Sequence, residues 1–304
     1  MTADRPLLGI LLMLGFCLVA PMGDSIAKIL GDTIPVGQLV TLRFIVQAAL
    51  LLPLVLLSGR SLVMTRHHYV LTAIRTALHI AGITAMFLSL RYLPLADAVA
   101  IAFVMPFIML LLGKYYLGEE VGIRRLLACA VGFIGTLLVV QPSFAAVGAP
   151  ALLPLVVAVV FALFMLVTRK LAKATDPVSL QAVSGLMASV FLLPMLFVAN
   201  LFAWPGLDPV TPTTNAWVLI LTLGTLGTLA HLLMTWSLRF APSATLAPMQ
   251  YLEIPIATII GWLVFSDFPN GLALIGIAIT MAAGLYIISR ERSLSRLPVP
   301  ASPP

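Results

Sequence analysis

Charged side chains are scarce in this chain. Only 9% of its 304 residues are Asp, Glu, Lys or Arg, whereas 61% are hydrophobic. A soluble domain needs roughly a quarter of its residues charged to cover its surface, so this composition predicts a surface that faces lipid. Cysteine is scarce too. Cys17 and Cys129 both stand in apolar stretches, which argues against a disulfide framework and a metal site.

Motifs for enzyme chemistry and for ATP use are also missing. The sequence contains no G-x-S-x-G, no H-E-x-x-H and no P-loop, which argues against an intramembrane enzyme and a direct ATP-driven pump. The net charge is +6, but the basic residues form short clusters between apolar runs. That pattern is typical of membrane topology and not of a nucleic-acid surface. We therefore expect no cofactor, no bound metal and no nucleic-acid partner.

Ten apolar runs follow one another, each close to the about 20 residues that cross a bilayer. They lie near 7–30, 36–57, 69–91, 94–115, 123–140, 150–170, 177–200, 215–239, 242–265 and 270–289. Thirteen of the seventeen Lys and Arg residues fall on one side of these spans, and only Lys28 and Arg91 fall on the other. Because basic loops stay in the cytoplasm, the sequence predicts a multi-pass protein of the bacterial inner membrane with both termini cytoplasmic.

The second half of the chain repeats the first. The segment Leu90-Arg91-Tyr92-Leu93-Pro94 returns 148 residues later as Leu238-Arg239-Phe240-Ala241-Pro242. Five spans is an odd number, so the second copy starts on the opposite side of the membrane. The predicted fold is an all-α integral membrane protein with ten transmembrane helices in two inverted five-helix repeats. The repeats cover residues 1–141 and 142–292, and a disordered cytoplasmic tail covers 293–304. Such repeats place a substrate site at their interface near mid-depth.

The repeated segments carry a family resemblance that covers nearly the whole chain. The segment 90–119, its echo at 238–267 and Arg43-Phe44 resemble the EamA-type ten-helix branch of the drug/metabolite transporter superfamily. The resemblance implies a central cavity lined by helices of both halves and the transport of metabolites. Ala247 to Glu253 is similar to bacterial S-adenosylmethionine uptake proteins, whereas the chain as a whole is more similar to the riboflavin transporters of proteobacteria.

Ionisable residues inside predicted spans are the first candidates for a site, because a charge at bilayer depth costs about 2.5–3.5 kcal/mol or more. Asp24 and Lys28 stand four residues apart on the first span, in the order that favours a helical ion pair. Arg43 and Asp97 fall at a similar depth on the second and fourth spans. This network could be a structural clamp, an outer gate or a binding site for an anionic group.

Two histidines lie on polar stripes of the third and eighth spans. His79 falls near mid-depth, where it could couple transport to protons or serve as a neutral structural residue. His231 shares its stripe with Thr235, and Trp236 adds a flat apolar surface beside it. Because lipid offers polar groups no partner, both stripes are expected to face inward.

The ninth span carries the acidic residue that is expected to cost the most free energy to place in the membrane. Glu253 lies near its centre, with Gln250 on the same face and Tyr251 adjacent. The carboxyl group could be protonated, paired with a base such as His231, or exposed to water in a cavity. Pro106 and Pro255 occupy matching positions on the fourth and ninth spans, where each is expected to kink its helix. The kinks could shape the proposed site, or they could serve only the packing of the helices.

The best functional hypothesis is a secondary transporter that moves a small organic metabolite by alternating access. Riboflavin uptake leads, because a flat ring system carrying a polyol suits a cavity that mixes aromatic, amide and carboxyl groups. S-adenosylmethionine uptake and amino-acid or drug export are alternatives in the same fold; a passive channel and an intramembrane enzyme are the competing classes. The small-residue stripe Gly276, Thr280 and Gly284 predicts close helix packing, either within the chain or in a homodimer.

Overall fold

The computed structural model describes residues 5–118, 121–139, 147–202, 208–267 and 271–295, and within these ranges the chain is helical without any strand. Seven stretches of the described residues are long and apolar enough to cross a membrane, and three shorter apolar helical stretches accompany them. This confirms an all-helical, multi-pass membrane fold.

Among the described residues, six helices belong to the first half. They are α1 (Pro6–Gly31), α2 (Val36–Leu57), α3 (Arg66–Ser89), α4 (Leu95–Ala102), α5 (Met105–Leu117) and α6 (Ile123–Val139). In the described part of the second half, a 3-10 turn is followed by helices in the same order of long and short. Its elements are the turn Ala149–Leu152, α7 (Leu153–Ala174), α8 (Pro177–Leu201), α9 (Thr214–Phe240), α10 (Ser243–Gln250), α11 (Glu253–Phe265) and α12 (Gly271–Ser295).

The fourth and ninth predicted spans are each divided into two helices. Two residues separate α4 from α5, directly before Met105-Pro106, and two separate α10 from α11, shortly before Pro255. A proline has no N–H for the carbonyl four residues earlier and its ring crowds that carbonyl. The sequence pattern indicated a kink at both prolines; in the structure the helix is interrupted.

The second part of each divided span ends in the same way. Gly118 closes α5 with φ 64°, and Ser266 closes α11 with φ 59°. Each donates its backbone N–H to a glycine carbonyl of the last turn, that of Gly113 and that of Gly261. A left-handed cap is ordinary for glycine and uncommon for serine. Ser266 therefore adopts a backbone conformation that serine rarely adopts.

Helices of the two halves pack against each other throughout the molecule. The most extensive contacts join α1 to α9, α3 to α7, α2 to α8 and α6 to α12. Small residues permit this close packing, because a Cβ atom at Gly9 would overlap the Cβ of Ala241. The interface between the halves is therefore also the core of the protein.

The pattern of buried and exposed residues is that of a membrane protein. One large cluster of buried apolar residues runs through the centre, and a second, around Leu51, Val55 and Val178, joins α2, α8 and α9. Large apolar side chains also cover the outside; Leu57, for example, is 88% exposed and Phe191 is 64% exposed. Lipid accepts such a surface without the penalty that water would impose.

Two residues of the small-residue stripe on the last helix, Gly276 and Thr280, pack inside the chain. A Cβ atom at Gly135 of α6 would lie 2.6 Å from the Oγ1 of Thr280 and 2.8 Å from the carbonyl of Gly276. These two stripe residues are therefore covered by α6, and the homodimer stays a prediction. Helix α12 continues to Ser295, three residues into the predicted tail, and 296–304 lie outside the described residues.

Candidate functional site

A cavity of about 90 Å³ lies between the two halves. Its walls come from α1, α2, α3, α4 and Met105 of α5 in the first half and from α7, α9 and α11 in the second. Most of the lining is apolar, with four aromatic rings: Phe16, Phe87, Phe103 and Phe161. Four ionisable side chains line the same space, namely Asp24, Arg43, His231 and Glu253. This is the arrangement expected of a site that holds a largely apolar ligand by a few polar groups.

Arg43 and Asp24 oppose each other in this cavity. Arg43 is only 2% exposed, and its Nη1 atom has no hydrogen-bond partner among the described residues. Asp24 lies within electrostatic range of the guanidinium, but no nitrogen–oxygen distance of 4.0 Å or less joins the two side chains. A buried donor without a partner costs about 1–3 kcal/mol. A ligand group that accepts from Arg43 would remove that cost.

Gly227 of α9 makes room for the guanidinium. A Cβ atom at this glycine would stand 2.7 Å from the Nε of Arg43. Any larger residue would therefore move the arginine, so α9 takes part in positioning a side chain of α2.

His79 and His231 form a pair across the two halves. Their Nε2 atoms lie 3.0 Å apart, while both Nδ1 atoms are buried without a hydrogen-bond partner in the described part of the chain. Aromatic rings enclose the pair, with the ring centroid of Phe44 5.0 Å and that of Phe164 4.6 Å from His79. Only His231 of the two lines the cavity.

Glu253 lies at the first residue of α11, directly after the interruption. It is 7% exposed and borders the cavity. The amino-terminal end of a helix favours a negative charge, which offsets part of the cost of burying this acid. The ion pair with His231 that the sequence suggested is not formed: no ion-pair distance joins the two residues, both of which the structure describes.

The expected pair of Asp24 and Lys28 is also absent. The Nζ of Lys28 donates to the carbonyl oxygens of Leu93 at 2.7 Å and Leu90 at 3.3 Å. Lys28 therefore binds the turn between α3 and α4, where carbonyl groups at the helix end lack partners within the helix. Asp97, half-buried in the first turn of α4, lies within electrostatic range of Lys28. The predicted four-residue network is thus divided: Asp24 and Arg43 line the cavity, and Lys28 and Asp97 do not.

Three further candidates lie outside the cavity lining. Gln250 is fully buried, with its Nε2 3.1 Å from the sulfur of Met165. Tyr251 donates from its hydroxyl to the carbonyl of Cys129 at 3.1 Å and packs on Gly132, which ties the interruption to α6. Trp236 is half-buried against the apolar cluster of α2, α8 and α9.

The two prolines contribute through the backbone. Pro106 and Pro255 are buried but do not line the cavity themselves. The interruptions beside them bring Phe103 and Glu253 to its wall.

Sequence reasoning missed Phe16 and Phe87. Phe16 precedes Asp24 by eight residues, a little over two helical turns, so both share a face of α1. This spacing could have identified Phe16. Phe87 stands in an apolar run without any signal.

A polar layer lies beyond the histidine pair, on the side away from the cavity. Arg75 is fully buried and donates from Nε to the Oγ1 of Thr168 at 2.9 Å and from Nη1 to the Oγ of Ser184 at 2.7 Å. Gln47 donates to the backbone carbonyl of Gln181 at 2.8 Å, and Gln181 donates in turn to the Oγ1 of Thr235. Each chain of contacts joins one half to the other.

An exposed ion pair lies at this end of the molecule. The Nη1 of Arg60 lies 2.7 Å from the Oδ1 of Asp176, between the α2–α3 and α7–α8 connections. The Oδ2 of Asp176 also accepts from the backbone N–H groups of Val178 and Ser179 and caps α8. Partial burial acts to raise the pKa of Asp176, but the hydrogen bonds from Ser179 and Arg60 and the charge of Arg60 lower it below the usual value.

Comparison with known proteins assigns the family. The model of the EamA-like transporter family matches residues 7–141 and 149–290. The chain is 28% identical over 259 residues to a riboflavin transporter of Brucella anthropi, covering 84% of this chain and 88% of that protein. It is 30% identical over 224 residues to a riboflavin transporter of Rhizobium johnstonii, covering 74% and 72%.

Other relatives carry a different substrate in their names. An S-adenosylmethionine uptake transporter of Rickettsia felis is 27% identical over 274 residues, covering 90% of both chains. A solved protein crystal structure covers 94% of this chain and 98% of its own with a TM-score of 0.70, and at 18% identity this likeness shows the fold. The family and these named relatives are transporters and not enzymes, as the missing motifs indicated. The chain belongs to the EamA-like transporter family.

Proposed function

We propose that this transporter carries riboflavin into the bacterial cell by alternating access, through a cavity shared by two inverted five-helix repeats in the inner membrane. The observation that carries the proposal is the cavity itself, in which aromatic rings and opposite charges from both halves face one space. Ten spans result when α4 with α5 and α10 with α11 each count as one divided span. In this topology both termini are cytoplasmic.

The packing of the helices supports an inverted repeat. If each helix is replaced by its counterpart in the other half, α1 becomes α7 and α9 becomes α3. The contact of α1 with α9 then becomes the contact of α7 with α3, which is also present. The contacts of α2 with α8 and of α6 with α12 map onto themselves under the same exchange. Any two-fold relation between the halves has this effect. With five spans, an odd number, in each half, the axis lies in the membrane plane, and such a relation supplies two related conformations, one open to each side. The two family matches support repeats at 1–141 and 142–292.

The polar contacts support one conformation in particular. With the termini in the cytoplasm, the Arg75 layer and the Arg60–Asp176 ion pair close the inner side, and the cavity lies in the outer half. At about 90 Å³ it is smaller than the about 300–1,000 Å³ of ordinary ligand pockets. A metabolite therefore requires the outer ends of the helices to separate further.

Riboflavin suits the chemistry of the lining. Its ring system is flat and can stack on Phe16 or Phe161, with a carbonyl oxygen accepting from the unpartnered Nη1 of Arg43. The ribityl hydroxyl groups can donate to carboxyl oxygens such as those of Glu253. The two relatives named as riboflavin transporters support this choice.

S-adenosylmethionine is the second candidate, because the cavity holds two carboxyl groups, Asp24 and Glu253, against one guanidinium. An excess of acid would attract a cationic ligand that also carries a carboxylate for Arg43. The relative of Rickettsia felis named as an S-adenosylmethionine uptake transporter supports this second candidate.

Uptake of radiolabelled riboflavin into an auxotroph that lacks its own importer tests the proposal. We expect saturable uptake that unlabelled riboflavin competes, and a severe loss with Glu253→Gln, whereas the exposed Asp32→Asn variant behaves as wild type. Absence of uptake, with the protein shown to be in the membrane, would refute riboflavin as the substrate. Uptake of labelled S-adenosylmethionine, measured in parallel, would then support the second candidate.

A further inference from the structure

A second cavity, separate from the one between the charges, opens on the outer surface of the helix bundle. Its volume is about 370 Å³, and it lies between the first part of α2, the second part of α3 and the second part of α8. Its floor includes Val40 and Thr41, and its walls include Ile80, Leu88 and Leu192. The side chains at its rim face the surroundings: Phe191 is 64% and Met195 44% exposed. We call this cavity the lateral groove.

The groove begins beyond a direct contact of α3 with α8. Near their cytoplasmic parts, the two helices are joined by the hydrogen bond from Arg75 to Ser184. Further along, residues of both helices and of α2 line the cavity instead.

The length of the groove matches one leaflet of a bilayer. Its wall on α3 runs from Ile80 to Leu88, and Arg91 lies about one turn further. At 1.5 Å per residue the distance from Ile80 to Arg91 is about 16 Å. Half of the hydrocarbon core of a bilayer is about 15 Å thick, so the groove extends from the membrane surface to its midplane.

A positive charge lies at the surface end of this apolar groove. Arg91 is exposed, and it donates from Nε and Nη2 to the carbonyl of Gly31 at 2.9 and 2.6 Å. These bonds hold the guanidinium at the rim, while no hydrogen bond within the described residues uses its Nη1. An apolar channel one leaflet deep with a guanidinium at its mouth is complementary to an acyl chain below a phosphate group.

We propose that the lateral groove binds one phospholipid of the leaflet at the Arg91 end, with an acyl chain along α3 and α8 and the phosphate on Arg91. The bound chain fills the space between these parts of α3 and α8. This site does not depend on the identity of the transported substrate.

Native mass spectrometry of the purified full-length protein tests the proposal with three probes. They are palmitoyl-oleoyl-phosphatidylglycerol, the diacylglycerol with the same chains, and inorganic phosphate. We expect one phosphatidylglycerol per protein, about fivefold weaker binding of diacylglycerol, and no saturable binding of phosphate. Fivefold corresponds to the about 1 kcal/mol of one arginine at a phosphate surface. Equal binding of diacylglycerol and phosphatidylglycerol would overturn the role of the phosphate.

Two variants locate the lipid. Thr84→Trp fills the groove and should abolish the one-to-one complex, whereas Val70→Trp, on the exposed part of the same helix outside the groove, should leave it intact. Arg91→Ala should weaken phosphatidylglycerol binding about fivefold, Arg91→Lys should largely restore it, and Arg66→Ala should not change it. Undiminished binding to folded Thr84→Trp would overturn the site.

Discussion

The Nε2 atoms of His79 and His231 lie 3.0 Å apart in the core, so one imidazole donates a hydrogen bond to the other across the boundary between the two halves. A shared proton of this kind requires that at least one ring be neutral and act as acceptor. Arg43 lies on the cavity side of the pair and Arg75 on the other, both within electrostatic range of the two rings.

The histidine pair should stabilise the fold. We expect His79→Leu to lower the free energy of unfolding by about 1–3 kcal/mol, because it leaves a buried nitrogen of His231 unpaired. The double variant with His231→Leu should lose less than the two single losses combined. Denaturation of the purified protein in detergent measures both, and His67→Leu, on an exposed histidine, should stay within about 0.5 kcal/mol. Strictly additive losses would contradict a direct bond.

Arg43 should be required for transport. Its replacement by Gln is expected to lower the initial uptake rate at low substrate by about tenfold or more, since a hydrogen bond to a charged group contributes about 1.5–3 kcal/mol. Gly227→Ala should act in the same direction by displacing the guanidinium. Arg66→Gln, on an exposed arginine, serves as the control. Wild-type uptake in both test variants would place the substrate elsewhere.

The ends joined by Arg60 and Asp176 should separate during transport. In the variant Arg60→Cys/Asp176→Cys, we expect a short bifunctional maleimide to link the two residues and to stop uptake. Cys17 and Cys129 are buried and should not react. Single-cysteine variants treated in the same way should keep their activity. Continued uptake by a fully linked protein would argue against movement at this end.

Acid should weaken the same ion pair. The folded protein lowers the pKa of Asp176 from its usual value of 3.8. The carboxylate therefore contributes stability that is complete above the usual pKa and is lost as the pH falls through the lowered one. Asp176→Asn keeps a capping oxygen but removes the charge. We expect this variant to melt below wild type at pH 7, with the gap closing in acid; a gap that is constant with pH would exclude the charge as its cause. Asp208→Asn, on an exposed acid, is the control.

The contact of α6 with α12 should be intolerant of any side chain at Gly135. Gly135→Ala would bring a methyl group within 2.8 Å of the backbone carbonyl of Gly276, and overpacking of this kind costs about 1–3 kcal/mol. Thermal unfolding in detergent measures the loss. Gly122→Ala, where no atom lies within 4 Å of the added carbon, should have little effect. Equal melting of the two variants would show that the helices separate easily.

Some of the site could be predicted because membrane burial makes polar residues conspicuous. Asp24, Arg43, His231 and Glu253 are costly in lipid wherever they lie, and all four line the cavity. Their partners could not be predicted in the same way. Lys28 was assigned to Asp24 from spacing along one helix, whereas it binds carbonyl groups of a turn more than sixty residues away.

The sequence by itself determined the environment and architecture of this protein: hydropathy and helical period are local properties, and they suffice for an all-helical membrane fold with a repeated pattern. The family could be recognised from that repeat. Only the tertiary structure decided that His79 meets His231 and that Gly227 makes room for Arg43. It also decided that Tyr251 anchors α6 outside the cavity. These contacts depend on the rotation and depth of helices from different halves, and a shift of one residue on a helix turns a side chain by 100°.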